Sequence, residues 1–178
     1  MIITNLPRIY LFGALLLTGT LRHAQPAPVL ITAQSEAKHI TEARAALLLG
    51  VNEAVAPGLP GVISVFGPRA FPVMVGTPGG DKAVVAPSVA AAFTPKAGIV
   101  AFGHDGFLDP KAWNTGQTKQ LLLNSLRWTQ RGKNGPVGIW TGNDNTALVE
   151  LFSAAGINAT AVKSGDNLAK FSALVVNG

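Results

Sequence analysis

The sequence predicts an α/β protein built on a mostly parallel sheet with flanking helices, and two observations carry that expectation. From Pro136 onward, short apolar runs alternate with helical ones, the grammar of a parallel sheet with crossover connections. Before that point the hydrophobic period switches from about 3.6 to short apolar runs bounded by Gly, Pro or Asp, which reads as one amphipathic helix followed by strands and turns.

Taken in order, Ser35–Leu49 places Ala37, Ile40, Ala43, Ala46, Leu47 and Leu48 at helical spacing, and Gly50 is positioned as its C-terminal cap. The turn-rich stretch Pro57-Gly58-Leu59-Pro60-Gly61 follows, and then the strand candidates Val62–Phe66, Pro72–Val75, Ala83–Ala86 and Ile99–Phe102. Ser88–Phe93 has room for a helical turn or two with Ser88 as its cap. A polar loop, Gly103-His104-Asp105-Gly106, leads to a second helix around Thr115–Gln130, with Leu121, Leu122, Leu126 and Trp128 as its packing face and Gly132 as its stop. The last third reads strand Val137–Thr141, loop Gly142–Asn145, helix Thr146–Ala155 stopped by Gly156, a strand near Ala159–Val162, a short helix near Asn167–Phe171 and a strand Ala173–Val176. A doubly wound sheet would go on to cover its second face, so the expectation is that residues 135–178 begin such a repeat and do not finish it.

Composition narrows the chemistry. The chain has 178 residues with no cysteine, which excludes disulfides, thiolate metal sites and a cysteine nucleophile. Its 14 Lys and Arg against 9 Asp and Glu give +5, yet they form no run and no aromatic-interleaved patch, so a nucleic-acid partner is not expected. Met1–Arg8 is basic, Ile9–Leu21 is apolar apart from Gly and Thr, and the small residues Ala24 and Ala27 follow, the pattern of a secretory signal peptide over residues 1–24. The apolar run falls short of the ~20 residues of a membrane-spanning helix, and a buried N-terminal helix is the competing reading. Cleavage would remove Arg8 and Arg22, leaving 12 basic against 9 acidic residues. The reading is thus of an exported chain, secreted or periplasmic, with no stable membrane span after processing and an N-terminal α/β region over residues 25–134.

Several phrases carry a family likeness: Ala43-Arg44-Ala45-Ala46-Leu47-Leu48-Leu49-Gly50-Val51, Val65-Phe66-Gly67-Pro68-Arg69-Ala70-Phe71-Pro72-Val73, Gly98–Leu108 and Leu122-Leu123-Asn124-Ser125-Leu126-Arg127-Trp128. In order and spacing this resembles the N-terminal region of the TRP channel-associated factor family and its bacterial relatives. The resemblance implies a three-layer, flavodoxin-like domain of class I glutamine amidotransferase-like type, placed ahead of an enhancin-like zinc metallopeptidase domain. It implies partners too: a downstream domain of the same polypeptide and a glycoprotein or carbohydrate target.

The residues bear on both chemistries. An amidotransferase of that kind needs a cysteine nucleophile, absent here, and the zinc-peptidase HExxH pairs two histidines one helical turn apart. Only His23, His39 and His104 exist, and His104-Asp105-Gly106-Phe107-Leu108 has no second histidine, so neither a metal site nor a cofactor is expected. The strongest ligand-binding candidates are His104 and Asp105, in a loop that would lie outside the carboxyl edge of the sheet. They could bind a polar ligand or transfer a proton as a small hydrolase or sugar-modifying enzyme would. The plainer reading has Asp105 and His104 serving the turn itself, with Gly103 and Gly106 supplying its backbone freedom. Asn143 and Asp144 occupy a strand-to-helix turn that lacks GxGxxG and reads as a helix cap. Arg69 could meet an acidic group from its turn, and Trp113 could offer a stacking platform, whereas Trp128 and Trp140 are expected in the core. Asn158-Ala159-Thr160 is a glycosylation sequon, relevant only in a eukaryotic host. These residues leave three functions open: a non-catalytic module serving a downstream peptidase, the small enzyme, and a stand-alone periplasmic binding protein.

Overall fold

The computed structural model describes residues 2–3, 33–58, 61–77, 85–142 and 144–177. They form a mixed α/β structure. In chain order its elements are β1 (Ile2–Ile3), α1 (Ala33–Leu47), β2 (Ala70–Gly76), β3 (Ala86–Phe93), β4 (Gly98–Phe102), α2 (Thr118–Gln130), β5 (Val137–Thr141), α3 (Thr146–Ala154), β6 (Ala159–Ala161) and β7 (Ala173–Asn177). The sheet runs β2-β3-β4-β1-β7-β5-β6. Strands β2, β3 and β4 form an antiparallel meander, and β5 pairs in parallel with both β6 and β7, as the strand-helix grammar predicts. The two-residue β1 lies between β4 and β7 and is antiparallel to each, so β4 and β7 run parallel to one another. Apart from Ile2–Ile3, the segment read as a signal peptide lies outside the described residues.

Two strand assignments shift. Ser88–Phe93 is not helical but belongs to β3, which pairs with β2 on one side and β4 on the other. Alanine's helix preference is weak beside two ladders of backbone hydrogen bonds, and the small side chains of Ala90 and Ala91 fit a doubly flanked strand. Ala83 lies outside the described residues, as does Val84. Val62–Phe66 is not a strand: Gly61 donates to Gly103 O at 2.8 Å and Ile63 to Pro87 O at 2.9 Å. Pro87 has no N–H to return that bond, so no ladder propagates.

The three helices share one face of the sheet. On it Leu122, Leu123 and Leu126 of α2 pack with Leu148, Leu151 and Phe152 of α3 and with Val137, Ile139, Ala173 and Val175. Leu121, from the same helix, joins Ala43 and Leu47 of α1 with Phe71, Val73, Val89 and Val100. Since side chains alternate along a strand, Gly138, Trp140, Leu174 and Val176 point to the opposite face. Trp140 is 51% exposed there, not in the core as the sequence suggested. A second helical layer is not among the described residues. A Cβ at Gly138 would come within 2.6 Å of Leu174 Cδ2, 2.7 Å of Val162 Cγ2 and 3.0 Å of Phe171 Cγ, so the β6–β7 connection closes over this face where β5 has no side chain.

Polar side chains of α2 and of Gln117, the residue before it, fix the chain that leaves α1. Buried Asn124 donates through Nδ2 to Leu47 O at 3.0 Å and Leu49 O at 2.8 Å. Gln117 Oε1 accepts from the backbone N–H groups of Asn52 at 3.1 Å and Glu53 at 2.9 Å. The fully buried Thr118 hydroxyl accepts from Val55 N–H and donates to Val55 O, both at 2.8 Å. Together they set the path to Pro57 and Gly58.

Candidate functional site

Strands β4, β5 and β7 are mutually parallel, so their carboxyl ends reach the same edge of the sheet, where ligands of open α/β folds bind. A cavity of about 590 Å³ opens there. Its walls include His104 and Asp105 beyond β4, Asp144 beyond β5, Asn177 at the end of β7, and Pro57, Gly58 and Asp109 from flanking loops. Of the six residues singled out from the sequence, the structure thus brings together His104, Asp105 and Asp144. Asn143 lies outside the described residues.

His104 caps a 3-10 turn, Asp105–Leu108. Its Nδ1 accepts from Gly106 N–H at 2.7 Å, which assigns the ring proton to Nε2 in the neutral imidazole. Asp105 Oδ1 lies 3.2 Å from the same Nδ1, but a nitrogen already accepting a hydrogen bond has no proton to share, so the contact is not an ion pair in that state. The other side of the ring lies over Gly58, whose φ is +92°; a Cβ there would come within 2.8 Å of Nε2. Glycine at 58 is therefore required twice, by its backbone and by the imidazole. Asp109 accepts from Lys111 N–H at 2.9 Å and starts the next 3-10 turn, Pro110–Ala112. Asp144 Oδ1 accepts from the Thr146 hydroxyl at 2.7 Å and from Thr146 N–H at 2.9 Å, and these two bonds, the hydroxyl first, hold its carboxyl below the ordinary value of 3.8. The helix-cap reading of Asn143–Asn145 thus falls to Asp144.

The remaining candidates stand elsewhere. Arg69 Nε donates to Glu36 Oε1 at 3.2 Å and ties the β2 turn to α1. Trp113 is half-buried against the α2–α3 cluster, and its buried Nε1 has no hydrogen-bond partner among the described residues. Trp128 packs edge-on to Phe71, with ring centroids 6.5 Å apart.

Chemically, among the described residues the cavity offers three carboxylates, an imidazole, an amide and no Lys or Arg. It suits neutral polar or cationic groups and opposes anions. Among the described residues no three His, Asp or Glu side chains are grouped closely enough to hold a metal ion. Sequence reasoning found His104, Asp105 and Asp144, but missed Gly58, Asp109 and Asn177. Asp109 precedes a proline, a turn signal that was legible; Gly58 and Asn177 meet the site only through tertiary packing.

A family model described as the TRPM8 N-terminal domain matches residues 2–177. No curated protein and no solved structure matches the chain.

Proposed function

On the premise that the chain belongs to the TCAF N-terminal family, we propose that it is a non-catalytic, exported α/β recognition module. Within that reading the fold descends from the class I glutamine amidotransferase-like type, and the module scaffolds or positions a target for a downstream domain, an enhancin-like zinc peptidase acting on glycoproteins.

One observation carries the non-catalytic part. The polar groups at the carboxyl edge that would do chemistry are engaged in building their own turns: His104 Nδ1 with Gly106, Asp109 with Lys111 and Asp144 with Thr146. A general base needs a free lone pair facing the substrate. Here the Nδ1 lone pair is occupied and Nε2 carries the proton against Gly58. The small-enzyme alternative on His104 and Asp105 is correspondingly weakened. What is left for a ligand is a wide, acidic, glycine-walled cleft, a surface for hydroxyl-rich or amine-bearing groups.

The test titrates the chain with a mucin-type glycoprotein by calorimetry, alongside an assay of ammonia release from glutamine. Saturable binding that weakens in Asp109→Asn, with ammonia release no faster than in buffer, is the expected result. Glutamine hydrolysis abolished by His104→Ala would overturn the reading, and so would absence of any glycoprotein binding.

A further inference from the structure

Among the described walls of the cavity, His104 is the one side chain of the type that changes charge between about pH 8 and pH 5. In the neutral ring Nε2 holds the proton and Nδ1 holds the bond from Gly106 N–H, at 2.7 Å. A second proton has only Nδ1 to go to, and with it the acceptor becomes a donor. Two N–H groups then face one another, and the Gly106 amide, on a buried residue, loses this acceptor. The side chain is 26% exposed, so the proton reaches the ring without unfolding.

The charged ring has another acceptor in reach. Three carboxylates share the cavity with it. Asp109 and Asp144 already accept from the N–H groups of Lys111 and Thr146, whereas Asp105, 58% exposed, has Oδ1 3.2 Å from Nδ1. The Pro57–Gly58 segment on the ring's other side brings no titratable group. Protonation therefore exchanges a cap on Gly106 for an ion pair with Asp105.

That exchange has no room to happen in place. A Cβ at Gly58 would come within 2.7 Å of His104 Cε1 and 2.8 Å of Nε2, and one at Gly106 within 2.6 Å of Nδ1, so the imidazole is held between two backbone segments. One of them has to yield. The Gly106 side is anchored, because Phe107 is 4% exposed and its ring centroid lies 5.3 Å from that of Phe102. Pro57 and Gly58 are exposed, and the bonds that tie their segment down lie to either side, at Val55 on Thr118 and at Gly61 on Gly103.

We propose that His104 is an acid-triggered latch on the cavity: protonation at Nδ1 breaks the Gly106 cap, turns the ring to Asp105 and frees the Pro57–Gly58 wall. The cavity loses a wall and gains a positive charge in one step. The inference concerns the loop and not the ligand, so failed glycoprotein binding leaves it standing.

The test follows the 178-residue chain by proton–nitrogen NMR as the pH is lowered from about 7.5 to about 5. The amide signals of Gly106 and Gly58 are expected to move with the His104 imidazole signal, all with one midpoint. Corrected for intrinsic rates, the Gly106 amide should exchange about tenfold faster at the acid end. His104→Asn keeps an acceptor for Gly106 N–H without a titrating ring, so its Gly58 and Gly106 signals should stay still over the same range. His39→Asn, which removes an exposed imidazole on α1, should leave the transition in place. A Gly106 amide that stays still while His104 titrates overturns the proposal. So does a Gly58 amide that stays still while Gly106 moves, or a transition that persists in His104→Asn; the parent chain decides the matter alone if that variant does not fold.

Discussion

Replacing Thr118 by Val removes a hydroxyl and keeps the shape, so its cost isolates the bond network that docks residues 52–58 on α2. The hydroxyl is fully buried and serves Val55 twice, accepting from its N–H and donating to its carbonyl, with a third contact to Thr115 O at 3.3 Å. Each such hydrogen bond is worth about 1 kcal/mol net, and a part-buried peptide group left unpaired costs about 1–3 kcal/mol. Two lost partners on Val55 therefore predict a destabilisation of about 2–4 kcal/mol. At about 2–4 °C per kcal/mol for a chain of this size, the melting temperature should fall by about 4–16 °C. Urea titration followed by far-ultraviolet circular dichroism measures it, with Thr118→Ser as the control. Serine keeps the hydroxyl and loses one methyl, about 1 kcal/mol. A valine variant within about 0.5 kcal/mol of the parent, or a serine variant as damaged as the valine one, would show that the hydroxyl is not what secures the loop.

Gly138→Ala should destabilise by about 1–3 kcal/mol, because the new methyl would press on Leu174, Val162 and Phe171 on a face packed to glycine's dimensions; denaturant midpoints compare it with a neutral surface change such as Glu150→Ala. His104→Ala deletes the cap on Gly106 N–H and should cost about 0.5–2 kcal/mol, with His104→Asn restoring part of it through a new acceptor. Asp144 and Asp166 both have carboxyls held below 3.8, Asp144 by the Thr146 hydroxyl and amide, Asp166 by the Lys163 amide and then the Lys170 ammonium. The unfolded chain therefore takes up their protons first as acid is added; their contribution is present above pH 3.8 and is lost as pH falls through the lower folded values. Stability measured from pH 5 to pH 2 should fall less steeply in the Asp144→Asn, Asp166→Asn double variant.

How much of this was readable beforehand depended on which forces were local. The helices were, since Gly50, Gly132 and Gly156 take left-handed backbone where caps were expected, with φ of 70°, 71° and 75°. The parallel β5-β6-β7 unit was too, because each strand is short and each crossover long enough to reverse the chain. Ser88–Phe93 misled because an alanine-rich run carries no strand signal of its own; flanking strands decided it. Trp140 misled for a related reason. A tryptophan in a strand reads as core, but strand alternation with buried Ile139 sends it to the face that the helices leave open. The site was half legible: loop polarity pointed to His104, Asp105 and Asp144, while nothing local in Gly58 or Asn177 announces a cavity wall. Nor does the spelling of residues 117–130 reveal that Gln117, Thr118 and Asn124 clamp a segment some 63–77 positions earlier.

Helix α2 places consecutive leucines in different surroundings, Leu121 among the residues beneath the antiparallel meander and Leu122 among those beneath the parallel strands. Neither half of the molecule can thus melt without pulling a side chain of the same helical turn out of the other. The mechanical hinge of the chain is a rigid rod rather than a linker, and heat should meet a single transition even though, among the described residues, the sheet joins the halves through the short β1.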